Sequence, residues 1–169
     1  MIDGHWRSSV FWCTIRREKA MYLDRLQTMR VTFEEICQGQ DPWIPLGNFL
    51  NDWYAYHSDR RPELIADPIP STSSPELQRW AAFCAASVEW FCNTSHLLCP
   101  SWVFSCAYTL TEPWFFHDRE KVRQRLLATT PQEFTRRNIF CGNRVFANKY
   151  EFSQQYHRLS PPMSFSTPS

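Results

Sequence analysis

The chain has 169 residues, a length typical of one domain and sufficient to bury a core without disulfides or metals. Its formal net charge is +1, which removes any bulk electrostatic argument for nucleic-acid binding. Only 4 glycines stand against 12 prolines, and this balance disfavours a β-barrel or a glycine-rich phosphate loop.

Charge is distributed unevenly along the sequence. Residues 41–116 carry 3 basic and 8 acidic side chains, a net charge of −5, whereas residues 117–169 carry 9 basic and 4 acidic side chains, a net charge of +5. Aromatic residues make up 16% of the chain, and such residues serve either a core or a contact surface. The charge asymmetry can mark a partner-binding face, and the alternative is that the opposite charges pair within the domain.

The seven cysteines indicate a reducing compartment. Their number is odd, no CxxC pair occurs, and the first residues lack the apolar stretch of a secretory signal. No apolar run approaches the roughly 18–20 residues of a membrane span. We therefore predict a cytoplasmic protein that does not enter a membrane. The histidines and cysteines match no common zinc spacing and no cofactor motif occurs, so neither a metal nor a cofactor is predicted.

The pattern of apolar residues predicts a mainly α fold, a compact single-domain helical bundle with aromatic-rich irregular connections. Residues 1–30 are interpreted as an N-terminal extension or helix. Residues 31–158 are interpreted as one helical domain, and residues 159–169 as a disordered tail.

The first predicted helices follow from capping and periodicity. Thr32 and Glu35 form a capping-box pattern, and Gly39 stops the short helix that follows. The next helix has one apolar face, since its large residues are spaced i, i+3, i+4 and i+7; they are Leu46, Phe49, Leu50 and Trp53. A further short helix is predicted over 60–65, with Pro62 in its first turn.

The longest apolar stripe predicts a central core helix over residues 75–93, started by Ser74 and Pro75. Residues 99–117 are expected to be mostly irregular chain packed by its aromatics. Asp118 is predicted to cap a helix over 118–127 with Leu127 inward, and residues 130–133 form a second capping box. A last helix is predicted over 145–156.

One candidate site is a polar cluster on or just after the second helix, formed by Asn48, Asn51, Asp52 and His57. A carboxylate, amides and an imidazole placed together can bind a substrate or a partner. The alternative interpretation is a solvated helix face without a specific role.

The second candidate site is a basic and aromatic segment over residues 131–150. Its candidate partner-binding residues are Arg136, Arg137, Asn138, Phe140, Arg144 and Lys149. Such residues can contact phosphates and bases, or dock on an acidic protein surface. In a third, internal interpretation, the phenylalanines belong to the core and the arginines pair with the acidic stretch 41–67.

Three stretches carry a resemblance to known proteins: PLGNFLNDW at 45–53, WAAFCAASVEW at 80–90, and 130–140, which has the form TPxxFxRRxIF. With the Pro-Trp segments at 100–102 and 113–114, the chain from about residue 31 to 150 resembles a loose group of uncharacterised bacterial helical proteins. The resemblance implies a single domain and an antitoxin-like partner of a toxin enzyme in bacterial stress or defence modules. It implies no catalytic residues.

The leading hypothesis is therefore a non-enzymatic protein-binding module, with the antitoxin-like role as its specific form. One alternative is a nucleic-acid-binding module that uses the basic C-terminal third, for which a steep salt dependence would be diagnostic. The other is a small enzyme without a recognisable motif near Asp52 and His57, which a cleft joining several titratable groups would favour.

Overall fold

A computed structural model describes residues 25–147 of the chain, and the fold is mainly helical. Six α-helices lie in this range: α1 Met29–Cys37, α2 Trp43–Asn51, α3 Arg61–Ile65, α4 Pro75–Ser95, α5 Glu120–Thr129 and α6 Gln132–Thr135. A π-helical turn, Asp52–Tyr56, continues α2, and two 3₁₀ turns, Ser101–Phe104 and Cys106–Tyr108, follow α4. This is the predicted compact α domain.

The central helix α4 has the predicted place and nearly the predicted length. It starts at Pro75 and ends at Ser95, and the left-handed conformation of His96 terminates it. All residues from 81 to 89 are buried, because α1 and α6 and the 3₁₀ turns pack around the helix. The run of alanines thus lies where neighbouring elements approach closely on several sides.

Large aromatic rings fill the space between α2 and α4. Phe91 lies 4.9 Å from Trp53, 5.6 Å from Phe49 and 4.9 Å from Phe146, measured between ring centroids. Phe49 on α2 and Trp53 in the π-helical turn are fully buried, and Leu46 is 2% exposed. Leu50 is only half-buried, so the predicted inner face is confirmed at three of its four residues. Aromatic packing of this kind supplies a large share of core stability through buried area.

The first helix starts one turn earlier than predicted, so the capping box at Thr32 is wrong. Thr28 is the N-cap, and its hydroxyl oxygen accepts a hydrogen bond from the Val31 amide at 3.2 Å. Thr32 lies fully buried inside α1, and the domain boundary placed at residue 31 falls within this helix. Gly39 ends the helix as predicted, with a φ of +90°.

The predicted starts of the two C-terminal helices are also wrong. Arg119, not Asp118, precedes the first residue of α5, and Leu127 is 53% exposed instead of inward. The hydroxyl of Thr130 donates a hydrogen bond to the Leu126 carbonyl at 2.7 Å. Thr130 therefore belongs to the C-terminal end of α5 and does not cap α6.

A short parallel pairing was not predicted. Two strands, β1 Trp114–Phe115 and β2 Ile139–Phe140, pair in parallel within the aromatic-rich connections.

Residues 143–146 form turns, so the helix predicted over 145–156 does not begin at 145; its later part lies outside the described residues. Most of the predicted N-terminal segment 1–30 and the predicted tail 159–169 also lie outside them. Among the described helices, none has the length and apolar character required to cross a membrane.

Two glycines offer a matched test of the backbone. Gly47 lies in the interior of α2 with open space where an added Cβ would lie, so Gly47→Ala should raise the free energy of unfolding by about 0.5–1 kcal/mol. Gly39 has equal space but a positive φ, so Gly39→Ala should lower it by about 1–2 kcal/mol. Urea unfolding followed by tryptophan fluorescence measures both values, and changes of the same sign would contradict this account.

Candidate functional site

The structure separates the predicted basic segment into internal and exposed residues. Arg137 is only 4% exposed, and its Nη1 donates to Glu89 Oε2 at 2.5 Å and to the Glu133 carbonyl at 2.7 Å. Its Nη2 donates to the Val103 carbonyl at 2.8 Å. Burial lowers the pKa of this guanidinium from its ordinary value. Arg137 therefore joins α4, α6 and the first 3₁₀ turn from inside.

The acidic partner of these arginines differs from the one predicted. Glu89, a buried residue on α4, binds Arg137 through one oxygen and Arg136 through the other. The internal interpretation is thus correct for Arg137, but its partner lies on the central helix and not in the stretch 41–67. Phe134 is fully buried, as that interpretation expects.

Arg136 presents the exposed half of this network. Its side chain is 43% exposed, and its guanidinium carbon lies 5.8 Å from the ring centroid of Phe104, which is itself 57% exposed. Burial and the neighbouring Arg137 lower the pKa of Arg136 from its ordinary value. Arginine stays charged at any physiological pH, so this corner presents a cation beside an exposed aromatic ring.

A small cavity of about 240 Å³ opens beside this cation and ring. Its lining is Phe104, Ser105, Thr109, Arg136 and Arg137. Two guanidinium groups and two hydroxyls line this space, and Glu89, which binds both guanidinium groups, is not among the lining residues. We call these five residues the Phe104 surface. Its chemistry suits an anionic group accompanied by apolar contact.

The remaining predicted partner-binding residues have other surroundings. Asn138 has a positive φ of 60°, and its side-chain amide donates to the Leu110 carbonyl at 2.6 Å. Phe140 stacks on Phe115 with centroids 4.6 Å apart. Arg144 is exposed, and Lys149 lies outside the described residues.

The predicted polar cluster forms a groove. Asn48, Asn51, Asp52 and His57 line one cavity of about 380 Å³ together with Arg25, Gln27 and Tyr56. Sequence spacing placed the first four together, but Arg25 and Gln27 precede α1, and only the fold brings them to this face. We call the seven residues the polar groove.

Asp52 lies at the base of the polar groove and is 7% exposed. Its Oδ2 accepts a hydrogen bond from the Gln27 backbone amide at 2.8 Å, and its Oδ1 lies 3.2 Å from His57 Nδ1. The amide of His57 donates to the Asp52 carbonyl at 3.0 Å, which closes the π-helical turn. Turns of this type recur at functional sites.

The cysteines form no evident reactive or metal-binding centre within residues 25–147. No group of three or more metal-ligating side chains occurs in this range. Burial raises the pKa of Cys92 and of Cys141 to about 12 and raises that of Cys84 further. Buried thiols of this kind are inert, because the thiolate is the nucleophile.

Comparison with known proteins assigns no family. No protein-family model, curated protein or solved structure is similar enough to this chain to count as a match. The resemblance to bacterial antitoxin-like proteins therefore stays a prediction, and functional inference depends on the two surfaces described above.

Arg136 and Arg137 should differ sharply in their effect on stability. Arg137→Ala removes one of the two cations paired with the buried Glu89 and leaves the Glu133 and Val103 carbonyls without their donor. It should therefore lower the free energy of unfolding by about 3–5 kcal/mol. Arg136→Ala removes a half-exposed ion pair and should cost less than about 1 kcal/mol. Urea unfolding measures both values, and a loss for Arg137→Ala no larger than for Arg136→Ala would refute the internal role.

Thiol labelling should follow exposure and pKa. At pH 8 a thiol of pKa about 12 is ionised to only about one part in 10⁴, so iodoacetamide should modify Cys92 and Cys141 far more slowly than exposed Cys106. Peptide mass spectrometry after timed quenching gives each rate. Labelling in urea is the control, because unfolding should make the three rates similar. Equal rates in the native protein would show that this packing is wrong.

Proposed function

We propose that the protein is a protein-binding module that docks an acidic segment of a partner protein at the Phe104 surface. The observation that carries this proposal is the exposed contact of Arg136 with Phe104 beside a cavity whose lining, among the described residues, includes no carboxylate. Arginine and aromatic side chains are the residues most often found as binding anchors at protein interfaces.

The shape of the site favours a particular segment. A carboxylate of the partner fits the small cavity, where Arg136 and the hydroxyls of Ser105 and Thr109 supply donors. An apolar residue next to that carboxylate would pack on the Phe104 ring. The same connection after α4 presents Leu98, which is 96% exposed and offers further apolar contact.

Hydrogen bonds from the interior hold the Phe104 surface in place, which lowers the entropic cost of binding. Arg137 holds the Val103 carbonyl, so the 3₁₀ turn that carries Phe104 is tied to α4 and α6. Side chains held on rigid elements lose less conformational freedom when a partner binds. This is why Arg137, although buried, belongs to the binding surface as a support.

The nucleic-acid alternative has less support among residues 25–147. Two of the rings expected to stack on bases, Phe134 and Phe140, are buried or stacked internally. Exposed basic residues do occur on α5, so phosphate contact is an outcome that the experiment must distinguish. One specific form of the favoured function is the antitoxin-like module, in which the acidic segment belongs to a toxin enzyme.

Site-specific photocrosslinking tests the proposal. A photoreactive phenylalanine analogue at position 104 should crosslink one protein in the cells that produce the chain, and Arg136→Glu in the same chain should reduce the adduct at least tenfold. The same analogue at Leu127, an exposed apolar position on α5, is the matched control and should not capture that protein.

A second step tests the chemistry of the captured segment. A synthetic peptide spanning the crosslinked segment should bind the purified protein, and replacement of its Asp and Glu residues by Asn and Gln should weaken binding at least tenfold. Equal adducts from positions 104 and 127, an adduct removed by nuclease, or a peptide whose affinity ignores its carboxylates would each overturn the proposal.

A further inference from the structure

The polar groove contains a carboxylate and an imidazole in a defined relation. Both oxygens of Asp52 have partners of different kinds: the Gln27 amide at Oδ2 and the His57 ring at Oδ1. The backbone amide fixes the carboxylate, so the position of its other oxygen is set by the fold and not by the imidazole. The π-helical turn then brings His57 back beside that oxygen.

The position of Asp52 bears on the tautomer of His57. Nδ1 is shielded from solvent and lies 3.2 Å from Asp52 Oδ1 without full hydrogen-bond geometry. Such contacts are often loose before substrate binds and tighten in the complex. A carboxylate beside Nδ1 favours the proton on that nitrogen, which leaves the lone pair on Nε2. The side chain is 18% exposed and lines the groove, so its accessible part is the edge away from Nδ1.

The rest of the groove supplies a binding site around this pair. Arg25 brings a cation, Asn48 an exposed side-chain amide, and Tyr56 a ring that is 70% exposed. The volume of about 380 Å³ is at the small end of the range for ligand sites. The groove therefore suits a small molecule that carries an anionic group for Arg25.

We propose that the polar groove is a hydrolytic site in which His57, positioned by Asp52, acts as general base on a water molecule that attacks a small anionic ester. This inference goes beyond the proposed binding function and does not depend on it, since the groove and the Phe104 surface share no residue.

The step is balanced by the residues named. Water gives a proton to His57 Nε2 while its oxygen bonds to the ester carbonyl carbon, and the Asn48 amide donates to the developing oxyanion. The ester C–O bond then breaks, and the leaving alkoxide takes the proton from Nε2, so an acid and an alcohol are released. Asp52 stabilises the imidazolium that forms. His57 is thus the catalytic residue, and Asp52 is a positioning residue.

The probes are two chromogenic esters, 4-nitrophenyl hydrogen succinate, which carries a carboxylate, and neutral 4-nitrophenyl acetate. The native protein should hydrolyse the succinate ester faster than the acetate, and His57→Gln should reduce the rate to background. Asp52→Asn should lower kcat at least about 100-fold with KM little changed, as loss of a base-orienting carboxylate does. Arg25→Gln should raise KM for the succinate ester alone.

His96→Gln is the matched control, because His96 is exposed at the end of α4 and lies outside the groove lining. It should leave both rates unchanged. A native rate no higher than that of His57→Gln for both esters, or an equal loss in His96→Gln, would overturn the proposal.

A spectroscopic readout separates positioning from mere folding. The ¹⁵N chemical shifts of the His57 ring should show the neutral tautomer protonated at Nδ1 in the native protein and a mixture of tautomers in Asp52→Asn. Native His57 protonated at Nε2 in its neutral form would overturn the proposal whatever the rates show, because the lone pair would then face Asp52. A failure to crosslink at Phe104 would change neither the ester hydrolysis rates nor the ¹⁵N shifts of His57. The binding proposal and the hydrolysis proposal can therefore be refuted separately.

Discussion

The ion pair of Arg137 with Glu89 is the constraint on which the C-terminal half of the fold depends. Two charges removed from water cost several kcal/mol each, and only close pairing with further hydrogen bonds offsets that cost. Here the further bonds go to the Glu133 and Val103 carbonyls, so charge satisfaction requires α4, α6 and the 3₁₀ turn to meet in one arrangement. The Arg137 carbonyl also accepts the Leu110 amide at 3.2 Å, which extends the constraint to the chain leading into β1.

Long periodic segments could be predicted from the sequence because their burial pattern extends over several turns. In α4 the apolar residues from Leu77 to Cys92 recur with the spacing of a helix and not with that of a strand, and Pro75 marks the start of the helix. The inner face of the second helix was predicted on the same ground, since Leu46, Phe49 and Trp53 recur at helical spacing, and all three are buried. Both predictions rest on many residues that agree, so one unusual position does not change them.

Features decided by one or two residues were predicted less well. A Thr followed three positions later by Glu occurs at Thr32, yet Thr28 caps the helix because the buried Met29 belongs to the first turn. The pairing of Trp114 with Ile139 joins residues 25 positions apart, and strands of two residues carry no period. The polar groove shows the same limit: α2 and its π-helical turn brought Asn48, Asn51, Asp52 and His57 together, but the contribution of Gln27 depends on tertiary packing.

The two buried carboxylates described within residues 25–147, Asp52 and Glu89, differ in how fully they are neutralised. Glu89 binds the buried Arg137 and the half-exposed Arg136, both of which are permanently charged. Asp52 accepts a hydrogen bond from one backbone amide and lies beside an imidazole at a groove open to solvent. A buried carboxylate costs free energy that hydrogen bonds must offset, and for Asp52 the Gln27 amide supplies one of them. The two carboxylates therefore differ in their surroundings: Glu89 ties interior elements together, whereas Asp52 lies beside a groove open to solvent.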